Sequence, residues 1–175
     1  KSIDLNWVAL GKELFQSTLL SKDNTISCAS CHKLEQGGVD NLQFSVGIEG
    51  SIGTRNSPTV LNAVFNFRQF WDGRSHDLAE QMSGPVHNPI EMGSSWAQII
   101  KKLNDDKQFS AAFYKLSPKG ITRANIIRAI TTFEEALITP NAPIDLYLKG
   151  DTNALTTQQK TGYQKFVGFG CVSCH

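Results

Sequence analysis

The sequence predicts an all-α protein. Three observations carry that expectation. Apolar residues recur at the three- and four-residue spacing of one helix face along much of the 175-residue chain. Alternating strand patterns are weak throughout. And each of two Cys-x-x-Cys-His segments, Cys28-Ala29-Ser30-Cys31-His32 and Cys171-Val172-Ser173-Cys174-His175, follows a helical stretch. Such a segment attaches haem c covalently: its thiols form thioethers with the porphyrin vinyl groups, and its His supplies the proximal iron ligand. The two segments use all four cysteines. A structural zinc is the weaker reading, because zinc-ribbon pairs lie at most tens of residues apart and this gap spans nearly the whole chain. A thioredoxin-like dithiol needs a βαβ pattern, which is missing. Two haem c groups in two cytochrome c-like units are therefore expected.

The elements follow in order. Leu10, Leu14 and Phe15 mark the apolar face of a first helix reaching toward Leu20. Residues 36–56 are glycine-rich, lack apolar periodicity and read as a long loop, of the kind that is usually functional. Ser57-Pro58 has the form of an N-cap with proline at the first helical position, leading into a helix through Val60, Leu61 and Val64. Asp77 to Met82 reads as a short helix ended near Gly84-Pro85. Ser94 or Ser95 caps a helix with Trp96, Ile99, Ile100 and Leu103 on one face. Phe109, Ala112, Phe113 and Leu116 form a further stripe. Thr122 opens a helix with Ile126, Ile130, Phe133 and Leu137 at helical spacing, ending before Pro140. Prolines, Gly150 and Asp151 make residues 139–153 the best boundary. The expected domains are thus 1–148, carrying the first haem, and 149–175, the start of a second. Thr156-x-x-Gln159 is a capping box opening the helix that leads to the second motif.

Composition excludes little but directs the reading. The net charge is +1, so no strong nucleic-acid or membrane field is expected. No apolar run reaches the roughly 18 residues of a bilayer span. The first residues lack a charged segment followed by an apolar one, as in a mature protein. Haem c attachment takes place outside the bacterial inner membrane, so a periplasmic location is expected from the motifs. His175 has no chain after it to cover its haem, and the natural sequence is expected to continue beyond it.

What lies on the far side of each iron decides between electron transfer and chemistry. Met82, Met92, His76 and His87 are candidates for a sixth ligand, with core packing the commoner role for methionine. Glu91 follows the stiff stretch Gly84-Pro85-Val86-His87-Asn88-Pro89-Ile90. A carboxyl held over an open iron can move a proton between the oxygens of a peroxide. The Gln81 amide can orient such a ligand, and Trp71 can bridge electrons. Taken alone, an exposed glutamate, a surface glutamine and a packing tryptophan are equally consistent with the residues.

A resemblance sharpens these roles. The segments Leu10-Gly11-Lys12-Glu13-Leu14-Phe15, Gly37-Gly38-Val39-Asp40-Asn41-Leu42, Arg55-Asn56-Ser57-Pro58-Thr59-Val60-Leu61-Asn62, Gln69-Phe70-Trp71-Asp72-Gly73-Arg74, Asp77-Leu78-Ala79-Glu80-Gln81, Ile90-Glu91-Met92 and Leu137-Ile138-Thr139-Pro140-Asn141 run in the order of the bacterial dihaem cytochrome c peroxidases. That family includes the MauG-like dihaem oxidases, and the sequence resembles it along its whole length. The resemblance implies a peroxidatic haem on Cys28, Cys31 and His32, and an electron-transfer haem on Cys171, Cys174 and His175. It implies Glu91 as the acid–base residue, Gln81 beside it, and Trp71 between the haems. Asn56 matches a position contributing to an interface calcium ion. The substrate implied is hydrogen peroxide, the donor a small cytochrome c or blue copper protein, and homodimers are usual. A MauG-like oxidase acting on a protein and a plain dihaem electron carrier are the alternatives. One position departs from the family. Many members carry a His, before the Arg-Asn-x-Pro-Thr segment, that caps the first iron in the oxidised state. Its counterpart here is Ile48, which cannot ligate, so an open oxidised haem is expected unless Glu49 or a shifted loop takes its place.

Overall fold

Asp4 starts the first helix by accepting the Asn6 N–H on its carboxylate, and α1 runs Leu5–Gln16. It stops at Ser17, and a 3₁₀ turn, Thr18–Leu20, completes what the sequence suggested as one longer helix. The structure, a computed structural model, describes residues 2–174. The next element is α2, Cys28–Cys31, the single turn carrying the first pair of thiols. From there to residue 77 the chain is loop, with short turns at Leu34–Gln36, Ile48–Gly50 and Ala63–Phe65. Strand pairing among the described residues is limited to the isolated bridges Val46–Ile52 and Gln69–Ser75. No described helix is long and apolar enough to cross a membrane.

Two sequence expectations are corrected here. No α-helix follows Ser57-Pro58. The segment is tied outward: the Thr59 hydroxyl donates to the Gly37 carbonyl and the Asn62 N–H to the Leu137 carbonyl. Asn62 has φ 61°, outside helical space. The second correction lies at Gly84-Pro85, which does not end the helical region. After α3, Leu78–Gln81, the chain turns once at Met82 and forms α4, Ser83–His87. Pro85 sits in the first turn of α4, where its missing N–H costs nothing.

The remaining helices start where the capping residues predict. Ser95, Asp106 and Thr122 each accept a first-turn N–H, opening α5, Trp96–Asp105; α6, Lys107–Leu116; and α7, Arg123–Glu135. A short helix that the sequence reading missed, α8, Pro143–Leu148, has proline in its first turn. Thr156 and Gln159 make the reciprocal capping-box bonds that open α9, Thr157–Gly168.

Residues 1–138 and 139–175 are two compact units. The core of the first is built on α1 crossing α7. The helices touch at Gly11, where an added Cβ would lie 1.9 Å from the Ala129 carbonyl oxygen. Phe15 meets Phe133 edge-on at 5.2 Å between ring centroids, a contact of about 1 kcal/mol beyond the area it buries. Leu14, Leu20, Ile99, Leu103, Phe113, Ile126 and Ile130 fill the centre. In the second unit Tyr147 of α8 meets Tyr163 of α9 edge-on.

Candidate haem cavity

The floor of the site is α2. The Ser27 N–H donates to Ser30 Oγ at 3.0 Å, closing the turn that sets Cys28 and Cys31 on it. Both thiols are free. Burial pushes Cys28 up to about 12, with the neighbouring Glu134 carboxylate adding to it, and burial also raises Cys31. The chain turns at His32, whose Nδ1 lies 3.3 Å from the Gly38 carbonyl oxygen. A carbonyl only accepts, so Nδ1 carries the proton and Nε2 keeps its lone pair. Burial also lowers the proton affinity of His32, which favours the neutral, ligating imidazole. Two free thiols and an oriented neutral imidazole on the wall of one cavity fit a covalent haem.

That cavity, of about 360 Å³, is bounded by Phe15, Leu20, Val60 and Val86 on apolar walls and by Gln81, Asn88 and Glu91 among its polar groups. Glu91 is held from several sides. Asn88 Nδ2 donates to its Oε1 at 2.6 Å. Its backbone N–H donates to the Asn88 carbonyl, and Met92 and Ser94 donate back to the carbonyls of Pro85 and Val86 in α4. Burial raises the carboxyl above its ordinary proton affinity, against the opposing pull of the Asn88 amide and the Arg74 charge. A half-buried acid of this kind can both give and take a proton.

The 46–52 loop clamps this strap. The Ile48 N–H donates to the Glu91 carbonyl at 2.9 Å. Gly47 packs so closely that a Cβ would lie 2.0 Å from the Ile90 oxygen. Ile48 is 3% exposed and its side chain packs on Gly93; Val46 and Gly47 line the cavity, while Ile48 does not. Glu49 is exposed and pairs with Lys22 at 3.8 Å, so it points away from the cavity as well. A second tie comes from below. The Lys22 N–H donates to the Met92 carbonyl. Lys102 of α5 sends its ammonium into a cage of the Ser21 carbonyl at 2.6 Å, the Lys22 carbonyl at 3.0 Å and Asn24 Oδ1 at 2.7 Å.

The other predicted residues are distributed as follows. Gln81 lines the cavity from the end of α3. Trp71 lies at its rim, 63% exposed, and its Nε1 donates to the Asn56 carbonyl at 3.1 Å. The exposed Asn56 therefore already has its carbonyl engaged. Met82 and Met92 are buried in the core and also line the cavity. His87 is exposed with Nδ1 on the Ser83 carbonyl, and His76 is exposed beside Arg68; neither lines the cavity. In the second unit Cys171 and Cys174 are exposed on a 3₁₀ turn. His175 lies outside the described residues.

Sequence reasoning missed Glu134. It is 6% exposed, lines the cavity, and its Oε2 has no hydrogen-bond partner among the described residues. Burial alone pushes it up to about 8. The signal was present, because Glu134 sits four residues after Ile130 on the apolar stripe of α7, where a charge is out of place. Asn88, the partner of Glu91, was legible only as part of a stiff stretch.

Residues 6–153 match the family model described as di-haem cytochrome c peroxidase. The chain is 51% identical over 173 residues to cytochrome c peroxidase Ccp of Escherichia coli (strain K12), covering 98% of this chain and 37% of that protein. It is 46% identical over 169 residues to cytochrome c551 peroxidase of Pseudomonas aeruginosa, covering 95% of this chain and 49% of that protein. A crystal structure of a MauG-like protein associated with microbial copper homeostasis superposes with a TM-score of 0.85 at 29% identity, over 94% of this chain and 49% of that one. The chain thus spans half or less of the length of these relatives.

Proposed function

The chain belongs to the di-haem cytochrome c peroxidase family, and from that premise we propose that it is part of a periplasmic enzyme reducing hydrogen peroxide to water. The single observation that supports this most is Glu91, a half-buried acid with raised proton affinity in the cavity that also holds Cys28, Cys31 and His32. Haem, when bound, supplies an iron that coordinates peroxide and accepts electrons one at a time. The chain supplies the rest. His32 offers Nε2 to the iron while its Nδ1–H stays on the Gly38 carbonyl. Glu91 takes a proton from the incoming peroxide and returns it to the leaving oxygen, which must depart as water. Asn88 holds Oε1 of Glu91 in place for both transfers. The Gln81 amide orients the second oxygen. Reduction of one peroxide consumes two electrons and two protons, with two waters as product.

Cys171, Cys174 and His175 would hold a second haem, which would supply an entry site for electrons from a small reduced cytochrome c or blue copper protein, with Trp71 assisting the transfer. A calcium ion near Asn56 and a homodimer belong to the same reading. The buried, clamped Ile48 supports a further step: the cavity is open to peroxide in the oxidised enzyme. The similarity to a MauG-like structure favours, as a second reading, an oxidase acting on a protein side chain.

The test is peroxide-dependent oxidation of reduced cytochrome c by the full-length, haem-loaded, oxidised protein. Turnover from the first seconds is expected, together with a high-spin ferric EPR signal. Only low-spin signals would remove the open-haem step. No turnover, even after prior reduction, would sink the peroxidase reading in favour of the oxidase or of a plain carrier.

A further inference from the structure

Besides Asp72, which is paired with Arg55 and Arg74, the cavity holds two carboxyl groups, and peroxide reduction as read above uses only Glu91. The other, Glu134, has no work in that scheme and no partner for Oε2 among the described residues. No opposite charge compensates it: Arg55 and Arg74, which line the same cavity, pair with Asp72. The elements packed on α7 are α1, α3 and the Ala63–Phe65 turn. Lys12 and Glu13 of α1 and Asp77 and Glu80 of α3 are all exposed, and the turn carries no titratable group. Within the cavity the titratable neighbour that feels Glu134 is Cys28, whose thiol it pushes upward; that thiol is consumed when haem is attached. An unpaired carboxylate in such a place is held against its desolvation. The same acid in its neutral form is tolerated and keeps one O–H to donate.

We propose that Glu134 is the redox-linked proton acceptor of this cavity, taking up a proton when the haem attached to Cys28 and Cys31 is reduced. The balance is simple. One electron enters the iron, one proton from solvent goes to a Glu134 carboxylate oxygen, and the charge enclosed by the cavity does not change. Coulomb attraction makes the coupling reciprocal: added negative charge at the iron raises the proton affinity of the acid, and ionisation of the acid favours the ferric iron. Glu134 acts through the haem and not on peroxide, so it is a positioning residue for the electron step. The inference rests on the haem reading of the proposed function.

The experiment is a spectroelectrochemical titration of the first haem against pH, in the full-length protein loaded with both haems, for the parent, E134Q and E91Q. At about pH 8 and above, where Glu134 is ionised in the oxidised protein, the parent's reduction potential should fall as pH rises, approaching a tenfold change in the reduction equilibrium, or 59 mV, per pH unit. E134Q keeps the shape of the side chain and should lose that slope, while E91Q should keep it. An unchanged slope in E134Q overturns the proposal. Where E134Q does not load haem, infrared redox difference spectra of the parent and E91Q decide. A protonated-carboxyl band gained on reduction and surviving E91Q supports it, and the absence of that band overturns it. Peroxide turnover is read separately on the same E91Q protein. A failed peroxidase reading therefore shows as no turnover in the parent protein, and a failed Glu91 role as unaffected turnover in E91Q, whatever the slopes do.

Discussion

Glu91 and Glu134 share a cavity and differ in what holds them. Glu91 accepts a bond from Asn88, whereas Glu134 Oε2 accepts none. Replacing Glu91 by Gln removes the proposed proton carrier and keeps the shape. Peroxide turnover should fall by about 10²–10⁴-fold with haem content unchanged, measured by stopped-flow. For Glu134 the consequence appears in stability. Its folded-state value is about 8 against an ordinary 4.5, so between those limits the folded chain holds a proton that the unfolded chain has released. Stability contributed by this group is full below pH 4.5 and is lost as pH rises toward 8, by up to about 1.4 kcal/mol per pH unit. Urea unfolding across that range should show the decline in the parent and a flatter profile in Glu134→Gln. Gly47→Ala places a Cβ on the Ile90 oxygen and should cost about 2 kcal/mol, read by the same unfolding assay. Glu91 was legible through the family resemblance, since the stiff stretch before it is equally consistent with an exposed loop glutamate. The grip of Gly47 was not, since nothing in a glycine's identity says which backbone it approaches.

At the scale of elements, capping chemistry made helix starts readable and packing decided the rest. Ser95, Thr122 and Thr156 all cap where the sequence placed them. Ser57-Pro58 carried a similar signature and opens no α-helix, because Thr59 and Asn62 spend their bonds on Gly37 and Leu137, distant in sequence. Local preference lost there to tertiary partners that a linear reading does not display. The crossing of α1 and α7 was legible as two apolar stripes but not as a contact. Its closeness depends on Gly11, so Gly11→Ala should separate the helices and cost about 3 kcal/mol, with a lowered thermal midpoint by circular dichroism as the measurement.

At the scale of the molecule, the first unit, residues 1–138, contains every residue of the hydrophobic core cluster. A polypeptide ending at Ile138 should therefore unfold in one cooperative transition with its helical signal retained, which thermal circular dichroism would check. The sequence placed a boundary between 148 and 149, within the proline- and glycine-bearing stretch 139–153, whereas the compact units divide after Ile138; α8 within that stretch was hidden by the same residues. One more property belongs to the molecule as a whole. Where a loop beside an active cavity is closed by a bound ion, its shape is hostage to the medium. Here the 21–24 loop is closed by the ammonium of Lys102, a cation that cannot diffuse away. Chelators and swings in mineral supply have no purchase on this corner of the protein.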